Sequence, residues 1–221
     1  MIQARYRTDY DGEFVILESR WKNGAKEQVR EWIPNSIENH HISGRAAIIG
    51  SNSDLEMFDY RKLQKHKGGL LGKKRLQTYG SGSLWTDMKF DFFVTNNHYE
   101  LDNIQKNGYP VENIVYTNAK NCIKYPGQFY LVPFNPIENS SAIAVYLAAF
   151  DGHNEVFLLG YNKDMPMLND TRVEEINQIF QSYSTTNFIL AGVASNMPDK
   201  WRNNHNVKCI KYKEFISYCD V

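Results

Sequence analysis

The chain has 221 residues, 42% of them hydrophobic and 23% charged, an ordinary globular composition long enough to bury the core of one α/β domain. Lys plus Arg and Asp plus Glu balance at 25 each, so no overall charge draws the protein to nucleic acid or to a membrane, and any electrostatic partner has to be read from local patches. Cys122, Cys209 and Cys219 are too few and too scattered for a disulfide framework or a zinc site, and no apolar run approaches the roughly 20 residues of a spanning helix.

The opening MIQARYRTDYDGEF lacks the apolar segment of a secretory signal, so the expectation is a soluble, cytoplasmic protein with no membrane partner. Residues 1–44 stand apart. EFVILESRWKNGAKEQVREWI has two β-leaning runs around Asn23-Gly24, which predicts an N-terminal β-hairpin with Trp21 and Trp32 packed on or near it. Pro34 and the polar NSIENHHISG then read as a connector.

From residue 45 to 221 short apolar runs recur, each followed by a polar turn. They are AAIIGS (46–51), GGLLGKK (68–74), DFFVTNN (91–97), NIVYTN (113–118), FYLVPF (129–134), EVFLLGY (155–161), NFILAGV (187–193) and VKCIKY (207–212). Runs that are apolar throughout indicate strands buried on both faces. Helical segments lie between several of them: SDLEMFDYRKLQ, YELDNIQKNG, the Ala-rich SSAIAVYLAAFDG, and DTRVEEINQIFQSY. Ser140 or Ser141 can cap the third of these and Gly152 can end it, and its apolarity on every side predicts a helix buried against the sheet. The predicted fold is a Rossmann-like, doubly wound, mostly parallel α/β sheet with an N-terminal β-hairpin.

In such sheets ligands gather at the carboxyl ends of the strands. After the first strand come Gly50, Ser51, Asn52 and Ser53, which can meet a phosphate or nucleoside; Ser53 with Glu56 also fits a capping box. The turn is neither G-x-G-x-x-G nor a Walker loop. After DFFV come Thr95, Asn96, Asn97, His98 and Tyr99, where carboxamides suit sugar and base edges and His98 suits a general base; the asparagines also suit a plain turn. After EVFLL come Gly160, Tyr161, Asn162, Lys163 and Asp164, with Asp164 the carboxylate best placed at a strand end. RKLQKHKGGLLGKKR, from Arg61 to Arg75, has seven Lys or Arg and no acid, a match for phosphate on a donor or on DNA and equally for a solvated basic face. The glycines of YGSGSLW (79–85) suggest a mobile loop beside the site. Asp9-Tyr10-Asp11 precedes the hairpin rather than ending a core strand, so no metal site is expected.

Two of these stretches carry a resemblance. GRAAIIGSNSDLEMFDYRKL resembles the opening of the sialyltransferase-like and motility-accessory glycosyltransferase-like domains, a strand, a G-x-G-P-S-L type turn and a following DY..L. Gly50 to Ser53 occupy the turn, without its second glycine and proline. SSAIAVYLAAFDGHNEVFLLGYN is similar to that family's capped Ala-rich helix and EIYLxGxD strand, with Ser140-Ser141 for its Ser-Gly pair and Asn162 for its aspartate. The resemblance spans about residues 45 to 164. It implies sugar transfer from a nucleotide-activated donor, used as co-substrate with no separate cofactor and often without metal. The donor would lie against Gly50–Ser53 and the Ser140-Ser141 helix start, with Asn96 and Asn97 orienting base or sugar. Gly160, Tyr161 and Asn162 would bind the substrate or nucleotide, and His98 or Asp164 would act as base. Lys73, Lys74 and Arg75 would stabilise the leaving phosphate. The Asn- and Lys-rich style is also similar to tailed-phage proteins of the T-even type, which implies a modified DNA base as acceptor, host cytoplasm as the location and the basic 61–75 segment as a DNA contact. The rival readings are a pyrophosphokinase-like transferase, which needs magnesium and a carboxylate cluster, and a nucleotide- or DNA-binding protein without activity.

Overall fold

The computed structural model describes residues 12–34, 44–50, 58–66, 76–133, 137–162 and 170–219. Strands β1 (Gly12–Lys22) and β2 (Ala25–Pro34) form a two-stranded antiparallel hairpin. Asn23 and Gly24 both hold positive φ, 51° and 79°, as the two-residue turn requires. Trp21, expected to pack, is instead 75% exposed beside that turn.

The remaining strands are β3 (Arg45–Ile49), β4 (Leu76–Ser81), β5 (Phe92–Val94), β6 (Ile114–Thr117), β7 (Tyr130–Leu131), β8 (Glu155–Leu159), β9 (Asn187–Ala191) and β10 (Val207–Ile210). They make one eight-stranded sheet in the order β10-β9-β8-β3-β4-β5-β6-β7, every pair parallel. The chain steps outward from β3 to β7, returns to β8 on the other side of β3, and steps outward again to β10. The fold is therefore the expected Rossmann-like doubly wound sheet, with its reversal between β3 and β8.

Its helices are α1 (His98–Lys106), α2 (Tyr109–Glu112), α3 (Ala119–Lys124), α4 (Ser140–Phe150), α5 (Asp170–Ser182) and α6 (Tyr212–Cys219). Side chains alternate across the sheet, so a strand covered on both faces must be apolar at every position. Ala46, Ile48, Val156, Leu158, Phe188 and Leu190 pack with α4 and α5 on one face. Ala47, Ile49, Phe157, Leu159, Ile189 and Ala191 pack with Leu101 and Ile104 of α1 and Phe215 of α6 on the other.

The helix α4 lies across β3, β4, β5 and β8. Its alanines let it approach closely, and Ala142 to Val145 and Leu147 to Phe150 are all buried. Its cap is Asn139 rather than either serine, because the Asn139 side chain accepts from the Ser141 and Ala142 N–H groups at 3.0 and 3.3 Å. At its other end the Tyr79 hydroxyl donates to buried Asp151 and meets His153 Nε2 at 3.0 Å, fastening the helix to β4. No helix among the described residues is long and apolar enough to cross a membrane.

The strand beside β3 is Leu76–Ser81, so YGSGSLW is no free loop: Tyr79, Gly80 and Ser81 are sheet, and Leu84–Thr86 is a short 3-10 turn. The 68–74 run lies outside the described residues, as do 51–57, where the first predicted helix begins; Tyr60–His66 is 3-10 helix. Gly80 is fixed by a close approach, since a Cβ there would sit 2.7 Å from the ring of buried Phe90.

Candidate functional site

The carboxyl ends of β4 and β5 meet the N-terminus of α4 around a polar cleft of about 470 Å³. The end of β4 and the turn after it supply Ser81, Gly82 and Ser83, and the segment after β5 supplies Thr95, Asn96 and Asn97. Glu100 enters from α1, Glu138 to Ser141 from the start of α4, and Arg172 from the first turn of α5.

Each wall has a local cause. Asn97 caps α1, its side chain accepting from the Tyr99 N–H at 2.9 Å. Asn96 works as a bracket. Its Oδ1 accepts from the Asn118 N–H at 3.0 Å, its Nδ2 donates to the Glu138 carbonyl at 2.8 Å, and its own N–H donates to Ser140 Oγ at 2.9 Å. Asn121 Nδ2 closes the bracket on the Asn96 carbonyl at 3.0 Å. The ends of β5 and β6 are thus pinned to the start of α4, and Ser81 Oγ donates to Ser141 Oγ at 3.3 Å across the cleft floor.

Arg172 sets the electrostatics. It is 7% exposed, and burial pulls its pKa down while the fields of Tyr161 and Glu175 oppose that fall. A guanidinium remains charged under such a shift, so a buried cation lies beside the positive end of α4. Behind it Tyr161 is fully buried, and burial pushes its phenol far up. It stays a neutral donor, bonded to the Ser141 carbonyl at 3.0 Å. A buried cation, a helix N-terminus, hydroxyls and carboxamides can together bind an anionic, polyhydroxylated ligand.

A second hollow of about 650 Å³ opens at the ends of β9 and β10, between Val193, Ala194, Ile210 and Tyr212. Its walls are mainly apolar, whereas convergent polar groups mark the first as the candidate site.

Of the residues expected at the site, the structure brings together Asn96, Asn97, Ser140 and Ser141. Gly50 gives its N–H to the Leu159 carbonyl at 2.9 Å, extending the sheet by one rung. Gly160 turns the chain at φ 75°, and Tyr161 and Asn162 are both buried and do not line the cleft. His98 is exposed, stacked on Tyr99 at 3.9 Å between ring centroids, and does not line the cleft. Ser51, Asn52, Ser53, Lys73, Lys74, Arg75 and Asp164 lie outside the described residues. Of the basic stretch, Arg61 is exposed and paired with Asp59 at 2.7 Å, and Lys62 is exposed.

Sequence reasoning missed Ser81, Ser83, Glu100, Glu138, Asn139 and Arg172. Arg172 did leave a signal: it stands four residues before Ile176 and so falls on the apolar stripe of α5, where a charge needs a reason. Comparison of the chain with family models, curated proteins and solved structures finds no match.

Proposed function

We propose that the protein is a glycosyltransferase that moves a sugar from a nucleotide-activated donor to an acceptor hydroxyl. The donor's phosphate lies in the cleft against Arg172 and the start of α4, and its sugar lies toward Asn97. The observation that carries this reading is the convergence of buried Arg172 with the Ser81 and Ser141 hydroxyls at the N-terminus of α4, at the carboxyl edge of a parallel sheet. A guanidinium and a helix N-terminus stabilise the charge that develops on a leaving phosphate, where catalysis of this kind gains most. Hydroxyl and amide groups around them match the polar edges of a sugar.

A thermal-shift screen against UDP-, CMP- and GDP-sugars tests the reading. A donor at one hundred times its Kd adds about 2.7 kcal/mol to stability, which is roughly 5–10 °C for a chain of this size. A melting point unmoved by every donor removes the proposal's substrate.

A further inference from the structure

Asn97 and Glu100 stand three residues apart at the start of α1, the spacing of a capping box. In that motif the glutamate reaches back to the N–H of the cap residue. Here the Asn97 N–H donates to Thr95 Oγ1 at 3.2 Å, and Glu100 Oε2 accepts from the Trp85 indole N–H at 2.8 Å. The glutamate is drawn off its own helix and held in the cleft wall.

Trp85 sits in the turn that follows Ser81 to Ser83, edge-on to Tyr109 at 5.8 Å between ring centroids. Its single N–H fixes one carboxylate oxygen, and the other makes no hydrogen bond with a described residue. Glu138, the other carboxylate lining the cleft among the described residues, is exposed, and its side chain makes no hydrogen bond with a described residue, whereas its backbone carbonyl accepts from Asn96. His98 does not line the cleft.

We propose that Glu100 is the general base of the transfer, an assignment that rests on the glycosyltransferase reading. Its unbonded oxygen takes the proton of the acceptor hydroxyl. That hydroxyl oxygen forms the bond to the donor's anomeric carbon as the bond from that carbon to the phosphate oxygen breaks. The electron pair leaves with the nucleotide phosphate beside Arg172, and protonated Glu100 then gives its proton to water. Trp85 is a positioning residue that holds the carboxylate in place.

Donor hydrolysis with water as acceptor tests this step, read as free nucleotide released from UDP-, CMP- or GDP-sugars. Glu100→Gln keeps the donor-induced thermal shift and lowers hydrolysis by about 10²–10⁴-fold. Trp85→Phe lowers kcat by about tenfold with KM unchanged, the split expected when a positioning contact is lost and binding is kept. Glu100→Asp, which keeps a carboxylate, recovers part of the rate lost in Glu100→Gln. Hydrolysis by Glu100→Gln within about twofold of wild type overturns the assignment while donor binding stands. Loss of the thermal shift in Glu100→Gln makes it a binding residue and overturns the assignment too. A wild-type protein that no donor stabilises overturns the glycosyltransferase reading, and this base with it.

Discussion

The Tyr161 hydroxyl donates to the Ser141 carbonyl at 3.0 Å and thereby joins the carboxyl end of β8 to the first turn of α4. Both belong to stretches that look alike in sequence only as a strand end and a helix start. In the fold they are one joint, and the cleft opens directly above it.

Tyr161→Phe tests the joint. It removes one buried hydrogen bond and leaves the ring packed, at a cost of about 1 kcal/mol. The melting point in the absence of ligand falls by roughly 2–4 °C, by differential scanning calorimetry. A change below that range places the rigidity of the α4 start elsewhere.

Asn96 is read as a bracket rather than a ligand contact, since its side chain already serves the Asn118 N–H and the Glu138 carbonyl. Asn96→Ala strips both partners and destabilises the ligand-free protein by about 2–3 kcal/mol. Asn96→Asp keeps the acceptor, loses the donor and falls between the two. Denaturant unfolding distinguishes this from a ligand role, which predicts lost binding at unchanged stability.

Glu175 gives a pH test. Its Oε2 is buried without a hydrogen-bond partner among the described residues, and burial raises its pKa against the downward pull of Arg172. A carboxyl with a raised folded-state pKa favours the native state when protonated. That contribution is complete below the ordinary carboxylate pKa and is lost as pH rises through the raised value. Glu175→Gln therefore stabilises the protein at pH 7, by about 0.5 kcal/mol because solvent screens a group that is not fully buried. The gain vanishes near pH 3, and a gain that persists there contradicts the account.

Much of the fold was legible because its central strands obey one rule. Ala46 to Ile49 and Val156 to Leu159 are apolar at every position, the mark of a strand covered on both faces. The strand between β3 and β5 breaks that rule. Gln77, Thr78 and Ser81 are buried in it, and Thr78 is satisfied by Asp91, its N–H and hydroxyl both donating to Oδ2 at 2.9 and 3.0 Å. Hydropathy therefore favoured the run at 68–74, and Ser81-Gly82-Ser83 read as a loop instead of a strand end. The same limit applies to the chemistry. The spacing of Glu100 from Asn97 fits a helix cap, and only the fold brings Trp85 to its carboxylate. Asn96, by contrast, was found by its place at a strand end, though its bonds make it scaffold.

The measurement that bears most directly on the central claim is calorimetric titration of UDP-, CMP- and GDP-sugars into the wild-type protein and Arg172→Gln. Removing a charge-assisted contact to phosphate costs about 1.5–3 kcal/mol. The account predicts that one donor class binds the wild type and that Arg172→Gln, folded by circular dichroism, binds it roughly 10–150-fold more weakly. Equal affinity in the two proteins, or no binding by any donor, contradicts it.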